Sequence, residues 1–211
     1  MMDTITFILP SGVQVNPATY DLILKSFDAG LPEPKLNLIT ISGRDGALDL
    51  TDWAGEVRYE NRAVKIAFRD MNENGYQPML SLIYDRKIKI IHSVDDDYYY
   101  YGRCKKAEVE TRRHVTDIDL EFICDPYRLS VEPTTITKSI SEMPVILQAQ
   151  RMSAVPSITL TDSCSITFKG VTKSLSAGTH TVPEFVITRE GSIMSASGTG
   201  TITITWTEGV I

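Results

Sequence analysis

The sequence predicts a mainly β protein in two domains, and three observations lead there. Apolar residues recur with a period of two, the pattern of half-buried antiparallel strands. Turn pairs such as Ala177-Gly178, Gly191-Ser192 and Ser197-Gly198 punctuate the alternating runs. Near residue 130 the composition shifts, from rich in charge and tyrosine before it to rich in Ser and Thr after it.

The elements follow in chain order. The segment 16–27 reads two ways: Asn16-Pro17 resembles a helix start, whereas Tyr20, Leu22 and Leu24 alternate like a strand. In RAVKIAFRD, Val64, Ile66 and Phe68 share one face, and Lys65 and Arg69 the other. One short helix is expected from Pro78 to Asp85. Proline suits a first helical turn, and Met79, Leu82 and Ile83 fall at i, i+3 and i+4. Alternation returns in TDIDLEFIC, where Ile118, Leu120 and Phe122 form the apolar face. Shorter strands are expected at 157–161, 165–170 and 184–190, and a longer one with Ile202, Ile204 and Trp206 inward. The proline-bearing stretch CDPYRLSVEPTTITKSISEMP divides the chain into 1–130 and 131–211, the second domain having the thinner core.

Bulk properties narrow the function. With 42% hydrophobic and 23% charged residues, the 211-residue chain has globular composition. A formal net charge of −6 argues against sequence-independent nucleic-acid binding, which needs surplus Lys and Arg to displace counterions. Cys104, Cys124 and Cys164 are widely spaced and odd in number, so free thiols are expected rather than disulfides or a zinc site. The start MMDTITFILPSG has an acid where a signal peptide carries bases, and no run is long enough to cross a bilayer. Synthesis and folding in the cytoplasm are therefore expected, without membrane insertion.

Two stretches invite a chemical reading. ISGRDGALDLTDW places Asp45, Gly46, Asp49 and Asp52 within eight residues. Oxygen ligands for a hard cation would be present, but the alternating acids and closing Glu of a calcium loop are not. Asp-Gly is a strong turn pair, and Leu48 and Leu50 alternate with Asp49, so a turn anchoring a following strand ranks ahead of a metal site. Asp49 and Asp52 as a glycosidase pair is a weaker reading still. The second stretch, VDDDYYYYGRC, suits a charged turn entering an edge strand. Tyr98 and Tyr100 then face one way, and Tyr99 and Tyr101 the other. A core face and an interface face rank ahead of ligand stacking. His92, His114 and His180 lack a second histidine at ligand spacing, and no nucleotide, hydrolase or zinc-protease motif occurs. No catalytic residue, metal or cofactor is expected.

Taken in order, these motifs resemble the amino-terminal domain of siphophage distal tail proteins. The resemblance falls on Gly43, Asp45, Gly46, Leu48 and Asp49 in the turn and strand, and on Tyr59, Arg62, Ile66 and Phe68 in the next strand. The helix Met79 to Tyr84 follows, then Tyr99, Tyr101, Gly102 and Arg103 in YYYYGR, then FICDPYRLS as the exit from the domain. It covers roughly residues 14–130. The resemblance implies a virion structural protein, from a phage or prophage, at the tail tip. It would form a ring, typically hexameric, that joins the tail tube protein to tail-tip, baseplate and receptor-binding proteins. DNA would only pass through the lumen. The implied fold is a β-sandwich or split-barrel-like amino-terminal domain and a small galectin-like β-sandwich, for which VPSITLT (155–161) is the expected start. A carbohydrate-binding β-sandwich module and a tail-tube protein are the alternatives.

Overall fold

In the computed structural model, residues 3–53, 55–71, 75–112 and 114–211 are described. The chain separates into two compact units, Met1–Arg128 with Ile211, and Leu129–Val210. Strands dominate both.

In the first unit, β1 (Ile5–Ile8) pairs with the short β2 (Gln14–Val15). Segment 16–27 then divides at a single residue. Asn16 Oδ1 accepts from the Ala18 N–H and starts a 3-10 turn, Pro17–Tyr20. Asp21, at φ 59°, reverses the chain into β3 (Leu22–Ala29). Both sequence readings hold, each for its own half. A ribbon follows, with β4 (Leu38–Thr40) paired to β5 (Ala47–Asp49). Next come β6 (Arg62–Asp70), the helix α1 (Tyr76–Ile83), β7 (Lys87–His92), and the long hairpin of β8 (Tyr98–Arg112) and β9 (Val115–Cys124).

The main sheet runs β2-β1-β7-β8-β9-β6-β3. It curls strongly. The Phe7 ring on β1 lies 5.9 Å from Phe122 on β9 and 6.4 Å from Phe68 on β6. Flat, those strands would be three and four steps away, roughly 14 and 19 Å at normal strand spacing. The enclosed core holds Phe7, Val64, Ile66, Phe68, Ile88, Ile90, Ile118 and Phe122. Helix α1 closes it with Met79 and Ile83, one turn apart. The helix starts and stops two residues before the Pro78–Asp85 expectation. Asp70, fully buried, accepts from the Tyr76 N–H and fixes the earlier start. Pro78 still lies in the first turn, where it costs no hydrogen bond.

The boundary between the units falls within β10 (Arg128–Ser130), and β11 (Thr134–Ser139) follows in the second. A 3-10 turn at Ile140–Glu142, closed by a Ser139–Glu142 capping box, leads into β12 (Val145–Leu147). Then come β13 (Ser157–Leu160), β14 (Cys164–Phe168), β15 (Val171–Leu175), β16 (Gly178–Thr181), β17 (Ser192–Gly198), β18 (Thr201–Trp206) and β19 (Gly209–Val210). Two four-stranded antiparallel sheets result, β11-β18-β13-β16 and β12-β17-β14-β15. Residues of both, including Ile158, Ile166, Phe168, Met194, Ile202 and Ile204, share one core.

The strand expected at 184–190 is not one. Only an isolated bridge joins Ile187 to Ala154, while the Phe185 N–H donates to the Val182 carbonyl in a turn. Phe185 and Ile187 are nonetheless fully buried. The alternation there records which side chains enter the core, not which backbone joins a ladder.

Candidate functional site

The acidic stretch lies on the ribbon between β3 and β6. Its base is zipped by the Lys35 N–H to the Arg58 carbonyl and the Glu60 N–H to the Glu33 carbonyl, each 2.7 Å. Its tip is a turn, with Gly43 at φ 82° and Gly46 at φ 76°, a left-handed backbone region that glycine enters without penalty. Asp45 and Asp52 are exposed. Asp49 accepts from the Thr51 N–H at 2.9 Å, and hydrogen bonds from Thr51 hold its carboxyl below the usual carboxylate range. No group of three potential metal ligands occurs among the described residues. The strand expected right after the turn is present as β5, which includes Leu48 and ends just before Leu50. Leu48 and Leu50 are both half-exposed and lie outside the first unit's core cluster.

Sequence reading passed over the most telling property of this ribbon. Leu36, Leu38, Ile39, Ile41 and Trp53 are all exposed on it, with Trp53 at 76%, and Leu31, just before its base, is 79% exposed. A monomer rarely gathers so much apolar surface on one short ribbon, and an isolated two-stranded hairpin has little stability of its own. The clue was the apolar alternation of LNLITI, set between Pro34 and Gly43.

The tyrosine strand forms a second cluster. Tyr100 faces the core, and the Arg62 guanidinium lies 5.4 Å from its ring centre. Register explains how an arginine two strands away reaches it. Arg62 stands opposite Cys124, and Cys124 stands opposite Gly102. Gly102 has no side chain to obstruct that row, so Arg62 crosses it to the ring two residues on. Arg62 is only 3% exposed. Burial pushes its guanidinium below the usual value, Tyr100 opposes this, and Arg128 adds to it. The cation–π contact offsets part of the burial cost.

The opposite face of β8 is basic and aromatic. Lys89 lies 4.3 Å from the Tyr99 ring centre and Lys87 lies 4.4 Å from that of Tyr101; Lys87 also pairs with Asp125 at 2.9 Å. Tyr99 is buried, so it offers no open platform for stacking a ligand. Arg103 donates to the Asp85 carbonyl and ties β8 to the end of α1. Tyr59 packs edge-on against Tyr127 at 5.9 Å. The two chain segments flanking the first unit's core thus meet through an aromatic pair. Among the histidines, His92 stacks on Phe27 at 4.4 Å, and His180 Nε2 lies 2.8 Å from the Ser176 carbonyl oxygen.

All three cysteines are buried and free. Burial is the leading cause that pushes the Cys104 thiol up to about 11 and Cys124 to about 12. Neither forms appreciable thiolate near neutral pH, the opposite of what an activated nucleophile needs.

One ion-pair cluster carries a pH prediction. Asp117 on β9 is held by Arg69 at 2.9 Å and Lys25 at 3.0 Å, which lowers its carboxyl to about 2. A carboxyl lowered on folding stabilises above its unfolded value, and that contribution is lost as pH falls through its folded value. Asp117→Asn should therefore flatten the acid limb of a urea-midpoint profile between about pH 4 and pH 2. An unchanged limb would remove Asp117 from the account.

No family model and no curated protein sequence matches the chain. Solved structures do match. The Dit protein of phage SPP1, described as a paradigm of the hub adsorption apparatus in phages infecting Gram-positive bacteria, aligns over 100% of both chains. Its TM-score is 0.72 at 14% identity. The chain has the fold of a phage hub adsorption protein. Two structures of the phage P2 baseplate in its activated conformation, one with calcium and one with strontium, agree. They align over 100% of this chain and 99% of theirs, with TM-scores of 0.54 and 0.53 at 6% identity. The hub-like match spans both units rather than one module.

Proposed function

We propose that this protein is a structural component of a siphophage tail tip: a distal tail protein forming a homo-oligomeric, hexameric ring. Residues 1–130 form the ring, and 131–211 make the outer β-sandwich domain. The ring joins the tail tube to the tail-tip or baseplate and receptor-binding proteins, and DNA passes through its centre. It acts in the virion after assembly in the host cytoplasm, without catalysis, cofactor or membrane insertion.

The observation that carries this reading is the end-to-end fold likeness to a hub protein. The exposed apolar ribbon supports it independently, since such a surface suits burial against another chain. The net charge of −6 is compatible with a conduit that must not retain phosphate.

Sedimentation or light scattering on the purified protein at increasing concentration tests the proposal, with negative-stain images. Six-subunit rings are the expected result. A protein that stays monomeric at the highest soluble concentration, with no rings on the grid, overturns it.

A further inference from the structure

Among the described residues, the curled main sheet does not close on itself. Strand β3 pairs only with β6 among the described residues, so its other edge is free. Along that edge runs a groove of about 760 Å³, lined by residues 21–27 on one side and by Asp3, Thr4 and His92 on the other. Leu22, Leu24, Phe27 and Met71 make it largely apolar, and Ile23 stands half out of it. A free strand edge beside an apolar groove is the geometry that accepts an added strand.

We propose that this groove receives the β4 ribbon strand of a second copy of the chain. The inference rests on the ring reading above and names its two contact surfaces. A closed ring needs head-to-tail contacts between two different patches of the same chain. The ribbon supplies one: Leu36, Leu38, Ile39, Ile41 and Trp53 are all exposed on it. The groove supplies the other. It offers backbone groups to β4, whose only partner among the described residues is β5. Both surfaces are then covered in one contact.

Disulfide trapping tests the contact, because Cys104, Cys124 and Cys164 are buried and do not compete. Ile23→Cys is combined in turn with Leu38→Cys, Ile39→Cys and Thr40→Cys, covering both faces of β4. After mild oxidation, at least one pair should give a ladder of cross-linked species on a non-reducing gel, and no single variant should. In parallel, Ile23→Glu should weaken assembly at least tenfold while its circular dichroism spectrum stays that of the wild type. If the wild type assembles but no pair cross-links, and well-folded Ile23→Glu assembles normally, the groove is not the acceptor and the ring stands. If the wild type never assembles, both readings fall. Should Ile23→Glu misfold, the cross-linking result alone decides.

Discussion

Replacing Gly102 by alanine is expected to be among the most damaging single changes in the molecule. A Cβ at this position would sit 2.4 Å from the Cys124 sulfur, 2.4 Å from the Ile123 carbonyl oxygen and 2.7 Å from the Cys124 Cα. Two of those three neighbours are backbone, so no side-chain rotation relieves them. Strand β8 would have to move off β9, at the middle of the main sheet and at the row Arg62 crosses. Overpacking of this kind costs about 1–3 kcal/mol, and disturbing a buried arginine adds to it. A loss of about 3 kcal/mol or more is expected, read as a lower urea midpoint. Gly30→Ala is the control: nothing lies within 4 Å of its added Cβ, and its stability should change by less than about 0.5 kcal/mol. Equal, small losses in both variants would show that the row is not packed as described.

Gly102 also illustrates what was legible in the sequence. The YYYYGR motif included Gly102 as a turn or interface position, whereas the structure places it inside β8 against Cys124. Period-two alternation located β6, β9 and β18 closely. Those strands are buried on one face only, so their pattern is clean. Legibility failed where one residue type served two structural ends. At 184–190, alternate burial occurred without pairing, because a core can be filled by turns as well as by ladders. At 16–27, a helix start and a strand lay end to end, and the switch depended on one left-handed aspartate that periodicity does not register. The ribbon's apolar exposure escaped notice because exposed and buried alternation look alike in sequence: LNLITI has the pattern of a half-buried strand, and only the fold shows Leu36, Leu38, Ile39 and Ile41 exposed. The Lys25–Arg69–Asp117 cluster was invisible for another reason. Its members come from three strands far apart in the chain, and no local pattern announces that register.

Phe7→Ala should be of comparable severity and would test the curl of the main sheet directly. Phe7 is fully buried, and its ring touches Phe68 and Phe122 on strands that are its neighbours only because the sheet wraps round. Truncating a core phenylalanine costs about 3–5 kcal/mol through lost transfer energy and the cavity left behind. For a domain of this size that is a fall in Tm on the order of 10 °C. Val13→Ala, at an exposed position on the adjoining turn, should change stability by less than about 0.5 kcal/mol. The sharper readout is the double-mutant cycle between Phe7→Ala and Phe68→Ala. In a flat sheet the two sites would lie beyond contact and their losses would add. Across a curled sheet they share one cavity, and an interaction energy of about 0.5–3 kcal/mol is expected. Strict additivity would mean that β1 and β6 do not face each other across a common core. The free edge of β3 would then lose the fold that places a groove beside it.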